Sequence, residues 1–363
     1  MLDDWTKILD ERDTLGVRIL MADMSKAFDR MDHHILMNKQ AGKRMNRNLI
    51  ELCSNFLSDR NQYVNYKGFV SDRLPVVIGV PQGSVLGPWL WLTYIDDLET
   101  PGTIHKYADD VTIHHPIKKK HIELSFTTVD NEYYIDFHEE DDVLRQCLEE
   151  INHWADDNNM TLSKNKTKVM TVQLPHTKRL KCEKIGDLIE VEYEKILGVY
   201  VDNRLAFTKQ VTEVVNKCRR RLHWLRVLKS NGVNKDHLRT LYLSKIRSTL
   251  TYASEAWYHF LSNTQKEKLE KVQRIALKYI EPNITNYEEA LNICAVPSIE
   301  DFVSEQCVSL FNKVSINSTH VLHSCLPTKR TRPVRNCTSK YVFEPCRTEK
   351  RSRSFFHAVT ALI

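Results

Sequence analysis

The sequence predicts an α+β protein, strands with packed helices first and a helical region after them, and three observations carry that expectation. Val17-Arg18-Ile19-Leu20-Met21-Ala22 is short, largely apolar and partly β-branched, as a buried strand should be, and it runs straight into Asp23. Tyr107-Ala108-Asp109-Asp110 sets two adjacent carboxylates between apolar residues, which fits a tight hairpin that presents acidic oxygens to a divalent metal. From Thr208 onward, apolar residues recur at steps of three and four, the period of helices with one buried face.

In chain order, the stretch from Ile35 to Leu57 reads as mostly helical and is expected to pack on the back of the sheet. Gly79-Val80-Pro81-Gln82-Gly83-Ser84-Val85-Leu86-Gly87-Pro88 is a glycine-punctuated loop, and glycines allow close backbone approach to a ligand. The apolar run Trp89 to Ile95 behind it packs as a helix, which Asp96-Asp97 ends. Lys118 to Asp142 is charged and irregular and reads as a loop, after which Leu144, Leu148, Ile151 and Trp154 mark one face of a helix over Val143 to Asp157. Three later helices are expected over Thr208 to Leu228, Lys235 to His259 and Thr264 to Tyr279. Asn231-Gly232 suits the end of the first, because glycine accepts the left-handed conformation of a C-terminal cap, and Pro282 closes the third. Beyond Pro297 the composition is mixed, without a catalytic spacing, and the chain shows no internal repeat.

Adjacent acids are common here: Asp3-Asp4, Asp96-Asp97, Asp141-Asp142 and Asp156-Asp157 also occur, and any one alone reads as a solvated turn. The company of Asp109-Asp110 is what distinguishes it. A second carboxylate at a strand end and a glycine loop between the two suit two-metal phosphoryl transfer, in which carboxylates from separate elements converge on cations about 3.5 to 4 Å apart. Asp23 and Asp109 could form that clamp.

The chain has 363 residues, enough for two or three domains, and 42% apolar content, enough for packed cores. Its 52 Lys and Arg against 47 Asp and Glu leave a net charge of only +5, so a surface that holds a polyanion must be local. Lys118-Lys119-Lys120, Lys217-Cys218-Arg219-Arg220-Arg221 and Lys329-Arg330-Thr331-Arg332 are the local runs, each readable as a plain solvated face. Arg219, Arg220 and Arg221 sit beside Trp224 on an expected helix, where arginines follow phosphates and an aromatic can stack; the other reading of Trp224 is core. Nine cysteines at irregular spacing, without a Cys-x-x-Cys pair, read as reduced thiols of an intracellular protein, nucleus and cytoplasm not being distinguished. Cys325, Cys337 and Cys346 among His320, His323 and His357 fit no zinc-finger spacing. Met1 to Lys7 lacks the form of a signal peptide, and no later run is long and apolar enough to span a bilayer, so no membrane association is expected.

At these residues the sequence resembles the reverse transcriptases of non-LTR, LINE-like retrotransposons, from about Leu15 to about Tyr279. Asp23-Met24-Ser25-Lys26-Ala27-Phe28-Asp29 resembles motif A, Gly79 to Pro88 motif B and Tyr107 to Asp110 motif C, with the motif B string the most specific. Met160-Thr161-Leu162-Ser163-Lys164-Asn165-Lys166-Thr167 after Trp154 resembles motif D. Ile196-Leu197-Gly198-Val199-Tyr200-Val201-Asp202 resembles motif E, the primer grip, and Leu250 to Trp257 the segment that follows the palm. The resemblance implies a polymerase palm, an antiparallel sheet with packed helices, over residues 1–205, lacking most of the fingers. It further implies a helical thumb over 206–282, leaving 283–363 as a C-terminal region of unclear fold.

The resemblance implies Asp23 and Asp109 as principal metal ligands, with Asp110 supporting, for Mg2+ or its substitute Mn2+. It implies Phe28 as the aromatic gate against a ribose 2′-hydroxyl, although on the residues alone Phe28 reads as core. Gln82, with Gly83, matches the motif B contact to the nascent base pair. Lys166 best matches the motif D lysine that protonates pyrophosphate, and Lys164 and Lys168 sit close enough in sequence to leave that choice open. Leu197 and Gly198, with Arg219, Arg220 and Arg221, are the expected nucleic-acid contacts. The partners implied are an RNA template, a DNA primer and deoxynucleoside triphosphates. Trp89 and Trp91 stand where leucine and phenylalanine are more usual, and Ser163 where asparagine often stands.

Only residues 1 to 22 precede Asp23, where the family has a fingers region with basic residues for the triphosphate, and no endonuclease domain is recognised. The chain therefore reads as an N-terminally truncated piece of an element's polyprotein, or a gene model begun at an internal Met. The leading expectation is an RNA-directed DNA polymerase, inactive as this piece if the triphosphate is poorly held. The alternative is a non-catalytic nucleic-acid-binding remnant. A two-metal nuclease ranks third, having no use for Gln82 or for Phe28 as a sugar gate.

Overall fold

The computed structural model describes residues 1–127, 132–137, 142–175, 177, 179–329, 341–342, 345–360 and 362. Arg330, Thr331 and Arg332 of the last basic run, Asp141 and Cys337 lie outside the described residues. The chain divides into two compact units, residues 17–171 with 178–191 and residues 1–16 with 172–177 and 192–363.

Helix α1 (Leu2–Asp10) opens the chain, and strand β1 (Thr14–Asp23) follows it. β1 is buried along nearly its whole length, which explains its continuous apolar run. Its one charged interior residue, Arg18, is compensated: the guanidinium lies 3.2 Å from the Asp142 carboxylate, both side chains at least 95% buried, and also donates to the Glu183 carbonyl. Removing one partner strands a buried charge, so Asp142→Ala is expected to lower stability by about 3–5 kcal/mol in urea titration. The paired replacement of Arg18 by Met and Asp142 by Leu is expected to recover the part due to the stranded charge, while the cap that the Asp142 carboxylate gives Arg145 N at 3.2 Å stays lost; no recovery would place the effect elsewhere.

The region expected to be helical after β1 forms two helices, α2 (His33–Gly42) and α3 (Arg47–Leu57), each capped by a side chain, Asp32 for the first and Asn46 for the second. Gln40 of α2 is fully buried, and its amide has no hydrogen-bond partner among the described residues. Gln40→Met keeps the shape and removes the desolvated amide, so a stability gain of about 1 kcal/mol is expected by thermal unfolding. A loss would mean the amide is satisfied. An exposed arm comes next, in which β2 (Asn61–Gln62) pairs with β5 (Leu74–Pro75) and β3 (Asn65–Tyr66) with β4 (Phe69–Val70).

Helix α4 (Leu86–Ile95) ends at Asp96 as expected and leads into an antiparallel hairpin of β6 (Thr103–Tyr107) and β7 (Asp110–Lys118). The stretch from Lys118 to Asp142, expected as a loop, holds two strands among its described residues. β8 (Ile122–Thr127) and β9 (Glu132–Phe137) pair antiparallel, and the physical signal was alternation at Ile122, Leu124 and Phe126 among polar residues. α5 (Val143–Asp157) covers the sheet with Leu144, Cys147 and Ile151 buried. β10 (Lys168–Val172), β11 (Arg179–Cys182) and β12 (Ile189–Glu190) complete the unit.

The central sheet has five strands in the order β12-β10-β1-β7-β6, which sets β1 and the β6–β7 hairpin side by side. Its hairpin pairing is antiparallel, while the edge strand β12 joins β10 parallel. β11 adds to β9 in a separate sheet of three strands. The core lies between the central sheet and α2, α4 and α5, where Leu20, Val111, Leu36, Leu90, Tyr94 and Ile151 are buried together. At about 1.5–3 kcal/mol per buried large apolar side chain, this layer is what holds the strand ends in place.

In the other unit, β13 (Tyr193–Ile196) and β14 (Val199–Asp202) form a hairpin, followed by α6 (Thr208–Ser230). α6 buries Val211, Val214, Cys218, Leu222 and Leu225, a helical stripe, and ends at Gly232 with φ +77. The single helix expected over Lys235 to His259 is instead a series: α7 (Lys235–Leu241), a π-helical turn (Tyr242–Arg247), α8 (Ser248–Leu250) and α9 (Ser254–Trp257). The chain breaks at Ala253, which has φ +49, and the Tyr252 carbonyl there accepts from the Trp257 indole at 3.0 Å. α10 (Asn263–Ile280) starts on a capping box of Ser262 and Gln265. α11 (Tyr287–Ile293) and α12 (Ile299–Ile316) follow. The C-terminal segment is anchored to α1: the Arg347 guanidinium donates to the Asp10 carbonyl at 2.7 Å and the Thr348 hydroxyl to the Asp10 carboxylate at 2.8 Å. Among the described residues no helix is long and apolar enough to cross a membrane.

Candidate active site

Three carboxylates and one ammonium gather at the end of the central sheet. Asp23 is the last residue of β1, and Asp109 and Asp110 lie at the turn between β6 and β7, where Tyr107 pairs with Asp110. The segment 161–163 stitches onto the β1 end, with Ser25 N donating to the Thr161 carbonyl at 2.8 Å and Ser163 N to the Asp23 carbonyl at 2.8 Å. The turn beyond it, where Thr167 N bonds the Ser163 carbonyl at 2.9 Å, brings the Lys166 Nζ to 3.2 Å from the Asp23 carboxylate. Burial pushes the Asp110 carboxyl up from its ordinary range, and the negative charges of Asp109 and Asp23 push it further, while Lys166 opposes them. Hard oxygen donors that repel one another fit a divalent cation, whose charge relieves the repulsion.

The motif B loop is locked to motif A through one glycine. Gly79 N donates to the Met31 carbonyl at 2.8 Å, Val80 N to the Phe28 carbonyl at 2.9 Å, and a His33 ring nitrogen lies 2.7 Å from the Gly79 carbonyl. Gly79 has φ +80, and a Cβ there would stand 2.6 Å from the Asp29 carbonyl oxygen. Gln82, exposed on the same loop, donates from its amide to the Asp29 carboxylate at 2.8 Å. Gly83 has φ +78 with open space where a side chain would be. Phe28 is half-buried and leans on Trp91, ring centroids 5.7 Å apart. It is neither plain core nor free.

Helix α4 holds the acidic hairpin at two points. The buried Trp91 indole donates to the Ala108 carbonyl at 2.7 Å. Lys106 of β6 closes the other end of the helix, its ammonium donating to the carbonyls of Ile95, Asp96 and Leu98 at 3.2, 2.7 and 3.0 Å. Neither partnership was visible in the sequence beyond the presence of an unusual Trp91.

The family model described as "Reverse transcriptase (RNA-dependent DNA polymerase)" matches residues 6–201. The chain belongs to that family. Among its curated relatives, the RNA-directed DNA polymerase from mobile element jockey of Drosophila melanogaster is 26% identical over 275 residues, 71% of this chain and 28% of that protein. The probable RNA-directed DNA polymerase from transposon X-element of the same species is 24% identical over 250 residues, 66% of this chain and 25% of that one. The chain thus spans about a quarter of the length of these relatives. A solved telomerase from Candida tropicalis, in complex with a telomeric RNA fragment, aligns over 79% of this chain and 50% of its own at 13% identity, TM-score 0.40. The chain is akin to the polymerases of non-LTR retrotransposons, as its motifs led one to expect, and the reverse transcriptase family generally uses divalent metals.

The remaining expected residues lie in the other unit. Leu197 and Gly198, with φ +47 and +87, form the turn of the β13–β14 hairpin. Tyr252, within the expected segment Leu250 to Trp257, pins that turn: its hydroxyl donates to the Leu197 carbonyl at 3.2 Å, and a Cβ on Gly198 would stand 3.0 Å from its ring. On α6, Arg219 and Arg220 are exposed, and Trp224 is 64% exposed, so it is not core. Arg221 is half-buried and donates to the Lys245 carbonyl and the Thr249 hydroxyl.

Proposed function

We propose that this chain carries the catalytic core of an RNA-directed DNA polymerase, in which a primer 3′-hydroxyl attacks the α-phosphate of a deoxynucleoside triphosphate paired to an RNA template. The observation that carries the reading is the convergence of Asp23, Asp109, Asp110 and Lys166 on one sheet end. Bound to those carboxylates, Mg2+ or Mn2+ would activate the hydroxyl and stabilise the departing pyrophosphate. Asp23 and Asp109 are the principal ligands in this proposal, and Asp110 supports them.

Lys166 holds a proton beside Asp23 and gives it to pyrophosphate as general acid. Phe28, steadied by Trp91, stands against a ribose 2′-hydroxyl, and Gln82, oriented by Asp29, lies with Gly83 against the nascent base pair. Leu197 and Gly198 meet the primer. Arg219 and Arg220 take phosphates, and Arg221 orders their helix through Lys245 and Thr249. The proposed organisation is a palm over residues 1–205, a thumb over 206–282 and a C-terminal region over 283–363.

The test is primer extension on poly(rA) with oligo(dT), Mg2+ and dTTP, comparing the chain with Asp109→Ala. Extension that disappears in the variant supports the proposal. No extension with duplex binding retained would favour a non-catalytic binding role, and metal-dependent cutting without added nucleotide would favour a nuclease.

A further inference from the structure

The hairpin turn that carries the acids is held from outside as well as by its own strands. Ala108 adopts φ +52, a left-handed conformation that costs a non-glycine residue on the order of 1 kcal/mol, a cost that a contact from outside the turn offsets. The Ala108 carbonyl also shares one rigid peptide plane with the Asp109 nitrogen, so whatever fixes that oxygen fixes the plane from which Asp109 emerges.

We propose that Trp91 is the positioning residue that sets Asp109 in its metal-binding orientation, acting through the Ala108 carbonyl. This deepens the polymerase proposal and rests on its reading of Asp109 as a metal ligand.

The indole is well suited to the task. It is completely buried, donates to the Ala108 carbonyl at 2.7 Å, and cannot swing away because it is packed between Phe28 and Tyr94, centroids 5.7 and 6.1 Å distant. Tyr94 is itself tethered, its hydroxyl donating to the Asn158 carbonyl at 2.7 Å. Lys106, bonded to the end of α4, fixes the register of β6 against the helix, so indole and turn meet at one place only. The same ring touches the motif A aromatic and the motif C turn. A shift of Trp91 would therefore move the sugar-facing ring and a metal ligand together.

Trp91→Phe keeps an aromatic ring against Phe28 and Tyr94 and removes the N–H together with part of the indole's volume, so Leu90→Ala is the control for the cavity. The experiment titrates Mn2+ into the full chain by electron paramagnetic resonance for wild type, Trp91→Phe, Leu90→Ala and Asp109→Ala. Leu90 is buried on the same helix and makes no contact with the turn through hydrogen bonding, so it reports what lost stability alone does. The expected result is an Asp109-dependent site in wild type whose affinity falls about tenfold or more in Trp91→Phe, the range for residues that orient a metal ligand. Leu90→Ala should stay within twofold of wild type. Should Trp91→Phe not fold, 3-benzothienylalanine at position 91 keeps the ring shape and removes only the N–H. Wild-type affinity in either analogue, or an equal fall in Leu90→Ala, overturns the positioning role. Absence of Asp109-dependent Mn2+ binding in wild type instead overturns the metal reading of the carboxylates itself.

Discussion

Asp23→Asn is expected to lower Mg2+-dependent nucleotide incorporation by about 10^3-fold or more, because a metal that holds the reacting phosphate contributes several kcal/mol to the barrier and each 1.36 kcal/mol is worth tenfold. The substitution keeps the shape and the backbone bond from Ser163 N to the Asp23 carbonyl, so the β1 end stays attached to the segment that follows α5. What it removes is one negative charge from a cluster in which burial first, and then the charges of Asp109 and Asp23, push the Asp110 carboxyl upward. It also releases Lys166, whose ammonium sits 3.2 Å from that carboxylate.

Lys166→Ala provides the comparison. A general acid contributes roughly 10^2-fold or somewhat more, so its loss should be smaller than that of Asp23 and should leave Mn2+ affinity intact, since the lysine is no ligand. Steady-state incorporation together with Mn2+ titration separates the two residues. Incorporation by Asp23→Asn within tenfold of wild type would remove Asp23 from the metal site.

The carboxylates were legible because each lies at the end of an element whose own pattern is strong: an apolar strand for Asp23, a hairpin turn for Asp109 and Asp110. The motif B loop was legible for its glycines. What holds these pieces together was not, because the contacts are long-range and use ordinary groups: Gln82 with Asp29, Trp91 with a carbonyl, Lys106 with the end of a helix. The stretch after Lys118 misled because charged residues dominate its composition and mask the alternation of Ile122, Leu124 and Phe126 with polar residues. The segment Lys235 to His259 misled because a single π-helical turn interrupts the α-helical period only locally, and the break at Ala253 serves a partner far away in sequence, the Leu197 carbonyl that Tyr252 reaches. Arg221 reads like its neighbours in a basic run, yet the helix turns it toward Lys245 and Thr249.

Gly79→Ala is expected to be the most damaging substitution that touches no charged group. The added Cβ meets two separate obstacles. At φ +80 an alanine is strained in its own backbone by on the order of 1 kcal/mol, and the methyl stands 2.6 Å from the Asp29 carbonyl oxygen, a backbone atom that cannot step aside as a flexible side chain could. Relief requires the loop and the turn at residues 27–29 to separate, and that separation breaks the bonds from Gly79 N to Met31 and from Val80 N to Phe28 together. Two backbone bonds at about 1 kcal/mol each, added to the strain, give a destabilisation of about 3 kcal/mol. Function should fall further than stability, since the turn that moves carries Phe28, and Asp29 on the same turn orients Gln82. Urea unfolding gives the first quantity; incorporation of deoxynucleotides against ribonucleotides gives the second, with selectivity for the deoxy sugar expected to weaken as Phe28 loses its place. A folded Gly79→Ala with unchanged stability and unchanged sugar selectivity would mean that motifs A and B are not coupled through this glycine.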